Sequence, residues 1–238
     1  MLKKILKYFI PPILLPKNLN HFKNLLLHKK NLKFHTKDYE ENFYKRHAFV
    51  NKAVSLFENC EYLEIGAGNN DLFNSIPVVM KNKYGVDPKH GGNYRMTSDE
   101  FFLKYSEKKF DVIFIDGLHH YRQCQKDCIN ALRFLKENGI ILLHDMLPRS
   151  DFEQRIPRKQ NTWTGDVWKV AVELNQSTNI EFKIINIDSG IGVIKLKKNF
   201  IYKKKPELEN QGFNEYLEYY KKFNLINSEQ ALEFISKR

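Results

Sequence analysis

The stretch that determines the fold reads EYLEIGAGNN and spans residues 61–70. Its apolar part, Tyr62–Ile65, predicts a short buried strand, and Gly66 and Gly68 predict a sharp turn after it that lets the backbone approach a ligand closely. Asp71 stands where the dinucleotide-binding pattern requires a third glycine, which argues against a pyrophosphate-binding NAD site. The acidic Glu64, two residues before the first glycine, suits a ligand with a cationic or amino end.

Short apolar runs alternate with helical patterns on the carboxyl side of this stretch, which predicts a parallel sheet covered by helices on both faces. Ser98 is the predicted cap of one of these helices, because a serine hydroxyl can accept a bond from a free backbone N–H of the first turn. Near the end, a turn at Asp188-Ser189-Gly190 predicts an antiparallel hairpin. The predicted strands are Tyr62–Ile65, Lys83–Val86, a weak one at Tyr94–Met96, Phe110–Ile115, Ile140–Leu143, Phe182–Ile187 and Ile191–Leu196, and the main predicted helices cover Lys37–Glu58, Leu72–Met80, Ser98–Ser106 and Tyr121–Lys136.

The chain divides by composition into a basic N-terminal arm (residues 1–36), one α/β domain (37–198) and a helical extension (199–238). Of the net charge of +11, +8 comes from the lysines of the first 34 residues. We expect the arm to pack on the body or on a second copy of the chain, or to touch an anionic membrane surface as an interfacial helix. Its apolar run to Leu15 is too short to span a bilayer, and three cysteines without zinc spacing indicate buried thiols in a reduced, cytoplasmic protein.

Polar residues follow the predicted strands, at the edge of the sheet where α/β folds bind their ligands. Asp87 follows the second strand about 20 residues beyond the glycines, a position from which a carboxylate can bind ribose hydroxyls, although an aspartate before a proline is also common in plain turns. Asp116 and Asp145 end two further strands and are predicted to face one cleft. His119 is the candidate general base, since imidazole titrates near neutral pH. His144 is either a site residue or a structural histidine.

The ordered set of Glu-x-Gly-x-Gly, Val-Asp-Pro, Asp-Val-Ile-Phe-Ile-Asp-Gly-x-His and a strand ending in His-Asp resembles the class I S-adenosylmethionine-dependent methyltransferases. Within that class it is most similar to the sugar and small-molecule O-methyltransferases, over roughly residues 40–196. The resemblance implies a Rossmann-like, doubly wound, mostly parallel seven-stranded sheet with a C-terminal antiparallel hairpin.

The resemblance also implies roles for individual residues. Glu64, Gly66 and Gly68 would hold the methionine and ribose portions of S-adenosylmethionine, Asp87 the ribose hydroxyls, and Ser98 and Asp99 would lie near the adenine. In metal-dependent relatives the positions of Asp116, His144 and Asp145 hold magnesium. The histidine at position 144 replaces the usual acidic residue, and imidazole is a softer ligand than magnesium prefers. His119 would take the acceptor's proton, with Asp116 beside it.

These expectations lead to an O-methyltransferase of glycan or small-molecule biosynthesis. The basic residues between Met146 and Lys169 suggest a lid loop that favours an anionic acceptor, such as a phosphorylated or nucleotide-linked sugar, or else a plain surface loop. We expect no DNA partner. An RNA methyltransferase, prompted by the basic arm, and a cofactor-binding protein without turnover are the alternatives.

Overall fold

The computed structural model describes residues 45–237, so the basic arm and the first part of the predicted Lys37–Glu58 helix lie outside the described residues. Seven strands and eight α-helices alternate along this part of the chain. They are α1 (Arg46–Val54), β1 (Tyr62–Ile65), α2 (Asp71–Ser75), β2 (Lys83–Val86), α3 (Ser98–Lys104), β3 (Phe110–Ile115), α4 (Tyr121–Phe134), β4 (Leu135–Leu143), α5 (Asp151–Gln154), α6 (Trp168–Gln176), β5 (Thr178–Ile185), β6 (Ile191–Ile201), α7 (Phe213–Tyr220), β7 (Leu225–Ile226) and α8 (Ser228–Ser236), with short 3-10 turns at Met80–Asn82 and Pro206–Asn210.

The strands form one sheet in the order β2-β1-β3-β4-β6-β5-β7. β1 pairs in parallel with both β2 and β3, and β3 pairs in parallel with β4. β6 then runs antiparallel to β4 and to β5, as the predicted hairpin requires. The predicted doubly wound, mostly parallel sheet with a C-terminal antiparallel hairpin is therefore confirmed.

Each face of the sheet carries its own apolar cluster, because successive side chains of a strand point to opposite faces. On β3, Ile113 and Ile115 join the cluster beneath α4 and α6, whereas Val112 and Phe114 join the one beneath α1 and α8. All six residues of β3 are buried. A strand that is almost entirely apolar at this place is what a central parallel strand needs when helices cover both of its faces.

The third strand predicted at Tyr94–Met96 is reduced to a single bridge between Tyr94 and Val86. The chain has too little room to extend it, since Thr97 already caps α3. The Thr97 hydroxyl accepts the Glu100 N–H at 3.2 Å, and the Glu100 carboxylate accepts the Thr97 N–H at 2.7 Å. The prediction that Ser98 caps this helix is therefore wrong by one residue, and Ser98 is the first residue of the helix.

The seventh strand comes instead from the C-terminal segment, where Leu225–Ile226 pair in parallel with β5. The two amphipathic helices predicted for this segment are α7 and α8. They bury Tyr216 in one apolar cluster and Phe234 in the other. Residues 199–237 thus share the core of the α/β body. None of the helices in the described part of the chain is long and apolar enough to cross a membrane.

The predicted buried thiols are confirmed: Cys60, Cys124 and Cys128 are all buried and free. Burial is the main reason why the pKa of the Cys60 thiol is raised to about 12. A thiol in this state is a small apolar side chain rather than a nucleophile.

Candidate active site

A cleft of about 590 Å³ opens at the carboxyl ends of the central strands. It lies where the strand order reverses, between β1 and β3, which is the usual ligand site of an open α/β sheet. The hydrogen-bond ladder continues past the strand ends, with Asp116 N–H donating to the Ile65 carbonyl at 2.8 Å and His144 N–H donating to the Ile115 carbonyl at 3.0 Å. The polar residues after β1, β3 and β4 are therefore held in one row.

The turn after β1 requires its first glycine. Gly66 has φ +86°, and a β-carbon placed on it would lie 2.1 Å from the carbonyl oxygen of Asp116. Gly68 has φ +50° but open space around it, with the nearest atom 3.9 Å away. Both residues line the cleft, so their backbone is open to a ligand as predicted.

Glu64 lines the floor of the cleft and is only 2% exposed. Its carboxylate accepts a hydrogen bond from the Tyr62 hydroxyl at 2.6 Å. Burial raises the pKa of Glu64 to about 7, against the opposing effect of that hydrogen bond. A cationic ligand group beside Glu64 would favour its ionised form.

Asp87 lies directly against the glycine turn, where its carboxylate accepts the Gly68 N–H at 3.1 Å. Its other oxygen accepts the N–H groups of Lys89 and His90, both at 2.8 Å. Asp87 therefore stabilises its own turn and also lies beside the glycine turn. Its binding of ribose hydroxyls stays a prediction.

His119 lies between the two predicted aspartates. Its Nε2 is 3.2 Å from Asp116 Oδ1, and its Nδ1 is 3.1 Å from Asp145 Oδ2 and 2.9 Å from the Trp163 carbonyl oxygen. The Trp163 ring stacks on the imidazole with 5.1 Å between the ring centroids. Burial alone would lower the pKa of His119, but the bond to Asp116 and the charge of Asp145 raise it.

His144 lies behind this group and is 7% exposed. Its Nδ1 is 3.1 Å from Asp145 Oδ1 and 3.3 Å from Asp116 Oδ1. Asp145 has φ +62°, a strained conformation that aspartate tolerates better than most residues and that recurs at functional sites. Burial would raise the pKa of Asp116, but His144 and His119 hold it well below its ordinary value.

Two further site residues escaped the sequence analysis, Arg46 at the start of α1 and Asp188 in the hairpin turn. Arg46 donates from Nε and Nη2 to the two oxygens of Asp188, at 2.9 and 3.1 Å, and its backbone N–H donates to Asp188 Oδ2 at 3.1 Å. Its Nη1 lies 2.7 Å from Asp116 Oδ2 and 3.2 Å from His144 Nδ1. The carboxylates of Asp116, Asp145 and Asp188 and the guanidinium group of Arg46 therefore surround the two histidines.

The ligand atoms of Asp116, His144 and Asp145 lie within 4.8 Å of one another, close enough to share a metal ion. A divalent ion nevertheless fits poorly beside Arg46. Arg46 Nη1 already binds Asp116 Oδ2 at 2.7 Å, and His144 Nδ1 faces carboxylate oxygens of Asp116 and Asp145, which favours a proton on that nitrogen in place of a free lone pair. The positive charge of Arg46 would also repel a cation bound to the same carboxylates.

The structure does not bring the predicted adenine residues into this cleft. Ser98 is buried under α4, where Gln123 donates to its hydroxyl at 3.2 Å. Asp99 faces Lys126 at 3.3 Å, on a separate surface between α3 and α4. Their role near the adenine stays a prediction.

The segment Met146–Lys169 is largely packed on the body. Arg149 Nη2 pairs with Glu153 at 2.8 Å and Arg155 Nη2 with Asp151 at 2.5 Å. These two arginines are therefore neutralised within the segment, which removes much of the charge on which the expected anionic acceptor depended. Trp163 brings the far end of the segment onto His119, with its indole N–H donating to the Arg155 carbonyl at 2.7 Å.

Comparison with known proteins adds to this geometry. Residues 63–146 match the family model described as a methyltransferase domain. None of the curated proteins compared with the chain matches it.

Several solved structures resemble the chain only distantly. An O-methyltransferase from Bacillus cereus in complex with S-adenosylhomocysteine is 11% identical, with 83% of this chain and 100% of that one covered and a TM-score of 0.47. A Podospora anserina methyltransferase bound to S-adenosylhomocysteine is 16% identical, with 78% and 99% covered and a TM-score of 0.44. The methyltransferase MycE of the mycinamycin biosynthetic pathway, in complex with Mg, S-adenosylhomocysteine and mycinamycin VI, is 12% identical, with 73% and 55% covered and a TM-score of 0.43.

The matched segment runs from β1 through Asp145 and thus contains the glycine turn, Asp87, Asp116 and His119. It contains the predicted glycine turn, and its strands form the parallel part of the predicted sheet. Residues 63–146 therefore match a methyltransferase domain, and the sheet that contains them has the doubly wound, mostly parallel form expected of the class I enzymes.

Proposed function

We propose that the protein transfers a methyl group from S-adenosylmethionine to a hydroxyl oxygen of a small, polyhydroxylated acceptor such as a sugar. One observation carries this proposal. A histidine held between two carboxylates, His119, opens on the same cleft as the glycine turn. A proton acceptor and a cofactor-binding turn in one cleft are the parts that methyl transfer to a hydroxyl needs.

The cofactor would lie across the turn after β1. Glu64 would bind its amino end, the backbone of Gly66 and Gly68 would approach its ribose and methionine portions, and Asp87 would bind the ribose hydroxyls. Glu64 supports this role because it is the buried carboxylate at the base of the cleft. S-adenosylmethionine supplies a sulfonium methyl group, so that its carbon–sulfur bond breaks as the new carbon–oxygen bond forms.

The hydrogen bonds of His119 determine which of its nitrogens takes the proton. Nδ1 faces two acceptors, the Trp163 carbonyl and Asp145, which favours a proton on that nitrogen. Nε2 faces only Asp116 and is thus the nitrogen that can accept the proton of the acceptor hydroxyl. The hydroxyl would take over the place of the Asp116 contact, and Asp145 at Nδ1, with the nearby charge of Asp116, would stabilise the imidazolium that forms.

The cleft lining supports a polyhydroxylated acceptor. Asn69, Thr162 and Ser189 offer hydrogen-bonding groups around the opening. A few polar groups in such positions orient a ligand with several hydroxyls. Because Arg149 and Arg155 are paired with carboxylates of their own segment, we do not propose that the acceptor must be anionic.

Transfer of a radioactive methyl group to a panel of free sugars, nucleotide sugars, glycans and total RNA tests this proposal. We expect label in a sugar acceptor. His119→Gln should reduce the transfer rate by about 100-fold or more, the usual contribution of a general base, while calorimetric affinity for S-adenosylhomocysteine changes little.

The matched control is His90→Ala, because that side chain is exposed and does not line the cleft. Lost cofactor affinity with retained turnover in His119→Gln would reject the base assignment. Label in RNA alone would favour the RNA methyltransferase, and cofactor binding with no label in any acceptor would favour the protein without turnover.

A further inference from the structure

We infer that Arg46 is the resident cation of this site and that its guanidinium group takes the place of a divalent metal ion. The inference deepens the proposed function, since it concerns the same cleft. It begins from a mismatch. Asp116, His144 and Asp145 are grouped as a metal site would group them, yet a positively charged side chain of the same protein is hydrogen-bonded to Asp116 and lies 3.2 Å from His144 Nδ1.

The position of Arg46 is fixed from several directions. Two of its side-chain nitrogens and its own backbone N–H bind the carboxylate of Asp188, and a third nitrogen binds Asp116 at 2.7 Å. A planar guanidinium that binds a carboxylate through two nitrogens is held far more firmly than a lysine would be. The side chain is also only 28% exposed.

Asp188 belongs to this arrangement through the fold. The turn that carries it precedes β6, and β6 pairs with the end of β4, where Leu143 lies opposite Gly192. The backbone of the turn is tied to the segment after β4, since Leu147 N–H donates to the Ser189 carbonyl at 2.7 Å. Asp188 is thus a fixed counter-ion beside the site.

A metal ion and Arg46 cannot both use these groups in the arrangement seen. Guanidinium keeps its protons in proteins and offers no lone pair, so Arg46 can never become a ligand. To admit an ion it would have to leave both Asp116 and Asp188. That would leave Asp188, whose side chain is 17% exposed, without its guanidinium partner.

Arg46 also acts on the proposed base through Asp116. Its Nη1 binds Asp116 Oδ2, while Asp116 Oδ1 faces His119 Nε2. The guanidinium group therefore orients the carboxylate that faces the base nitrogen. Arg46 is a positioning residue in this reaction, and it supplies the positive charge that an ion would supply elsewhere.

Manganese binding tests the inference without any assay of methyl transfer. Electron paramagnetic resonance counts free Mn²⁺ in titrations of the wild-type protein and of Arg46→Met, which keeps much of the apolar stem. We expect no stoichiometric site below about 1 mM in the wild type. In Arg46→Met we expect one equivalent bound at least about 30-fold more tightly, because three or four oxygen and nitrogen donors become free. Arg46→Lys, which keeps the charge, should bind no better than the wild type.

Lys52→Met is the matched control, since it removes another positive charge of α1 that does not line the cleft and should leave Mn²⁺ binding unchanged. Circular dichroism confirms that each variant is folded, and if Arg46→Met is not, Arg46→Gln takes its place. Tight stoichiometric Mn²⁺ binding by the wild type would overturn the inference, and so would equally weak binding by the folded wild type and variant. Neither result depends on whether the proposed acceptor is correct.

Discussion

The glycine turn after β1 allows the effect of a close backbone contact on stability to be measured by comparing two glycines. Gly66 and Gly68 both have positive φ, but only Gly66 is in close contact with another part of the backbone. Comparing Gly66→Ala with Gly68→Ala therefore separates the cost of the left-handed conformation from the cost of steric overlap.

The structure gives the size of each effect. For Gly68→Ala, the left-handed conformation costs roughly 1–2 kcal/mol, partly offset by about 0.4–1 kcal/mol from a less flexible unfolded chain. The net loss should be about 1 kcal/mol. Gly66→Ala has at least this cost, because φ +86° lies beyond the usual left-handed range, and it also places its β-carbon 2.1 Å from the Asp116 carbonyl oxygen and 2.7 Å from the Gly117 α-carbon. Backbone cannot yield as a side chain tip does, so overlap should add about 1–3 kcal/mol.

Urea denaturation followed by circular dichroism measures both variants, with calorimetric titration of S-adenosylhomocysteine as a second measurement. We expect the free energy of unfolding to fall by about 3 kcal/mol in Gly66→Ala and by about 1 kcal/mol in Gly68→Ala. Relief of the overlap would push β1 away from the turn after β3, so Gly66→Ala should also weaken ligand binding more. Equal losses of stability in the two variants would refute the reasoning, because the close approach would then contribute nothing.

Two other predictions follow from buried carboxylates. Because burial raises the pKa of Glu64 to about 7 and a cationic ligand group needs the ionised form, affinity for S-adenosylhomocysteine should rise with pH up to about 7 and then level off. Calorimetry from pH 5.5 to 8 should show this rise in the wild type and not in Glu64→Gln; a rise of the same size in the variant would remove Glu64 from the cofactor site. Glu173 is fully buried and accepts bonds from two tyrosine hydroxyls, a glutamine amide and the Lys205 N–H. Glu173→Gln should therefore lower the free energy of unfolding by about 3 kcal/mol in urea. Glu181→Gln, at a side chain that is 43% exposed, should change it by less than about 0.5 kcal/mol, and similar effects of the two would contradict the buried network.

The strands that could be predicted are those whose pattern follows from burial alone. Phe110–Ile115 is apolar at five of its six positions, and β1, β2 and β3 have the bounds that the sequence analysis gave. The weak strand predicted at Tyr94–Met96 forms only the bridge between Tyr94 and Val86, and the Tyr94 ring stacks on Tyr84 with 5.5 Å between the centroids. The edge strand at Leu225–Ile226 is two residues long, which is too short to leave a periodic signal.

The predicted site residues also form two groups, those that lie in the cleft and those that do not. Asp116, His119, His144 and Asp145 directly follow strands of the sheet, and residues in that position meet at one edge by the geometry of parallel strands. Ser98 and Asp99 follow a strand that does not form beyond one bridge, and they lie against α4 instead of the cleft. Residues that follow a complete strand thus lie in the cleft, whereas those that follow the single bridge at Tyr94 do not.

Asp188 and Arg46 show the difference between a contact that topology fixes and one that it leaves open. Once the hairpin is predicted, its last strand must run back along β4, so the turn before that strand lies beside the end of β4 and His144. Asp188 could therefore have been found from the sequence. Arg46 could not, because it stands 142 residues before Asp188 and the periodicity of a helix does not fix where the helix begins relative to a sheet. The cation of the site thus comes from α1, whose position the sheet topology does not determine. Mn²⁺ titration of Arg46→Met measures how the charge from this helix changes cation binding by the residues that follow the strands.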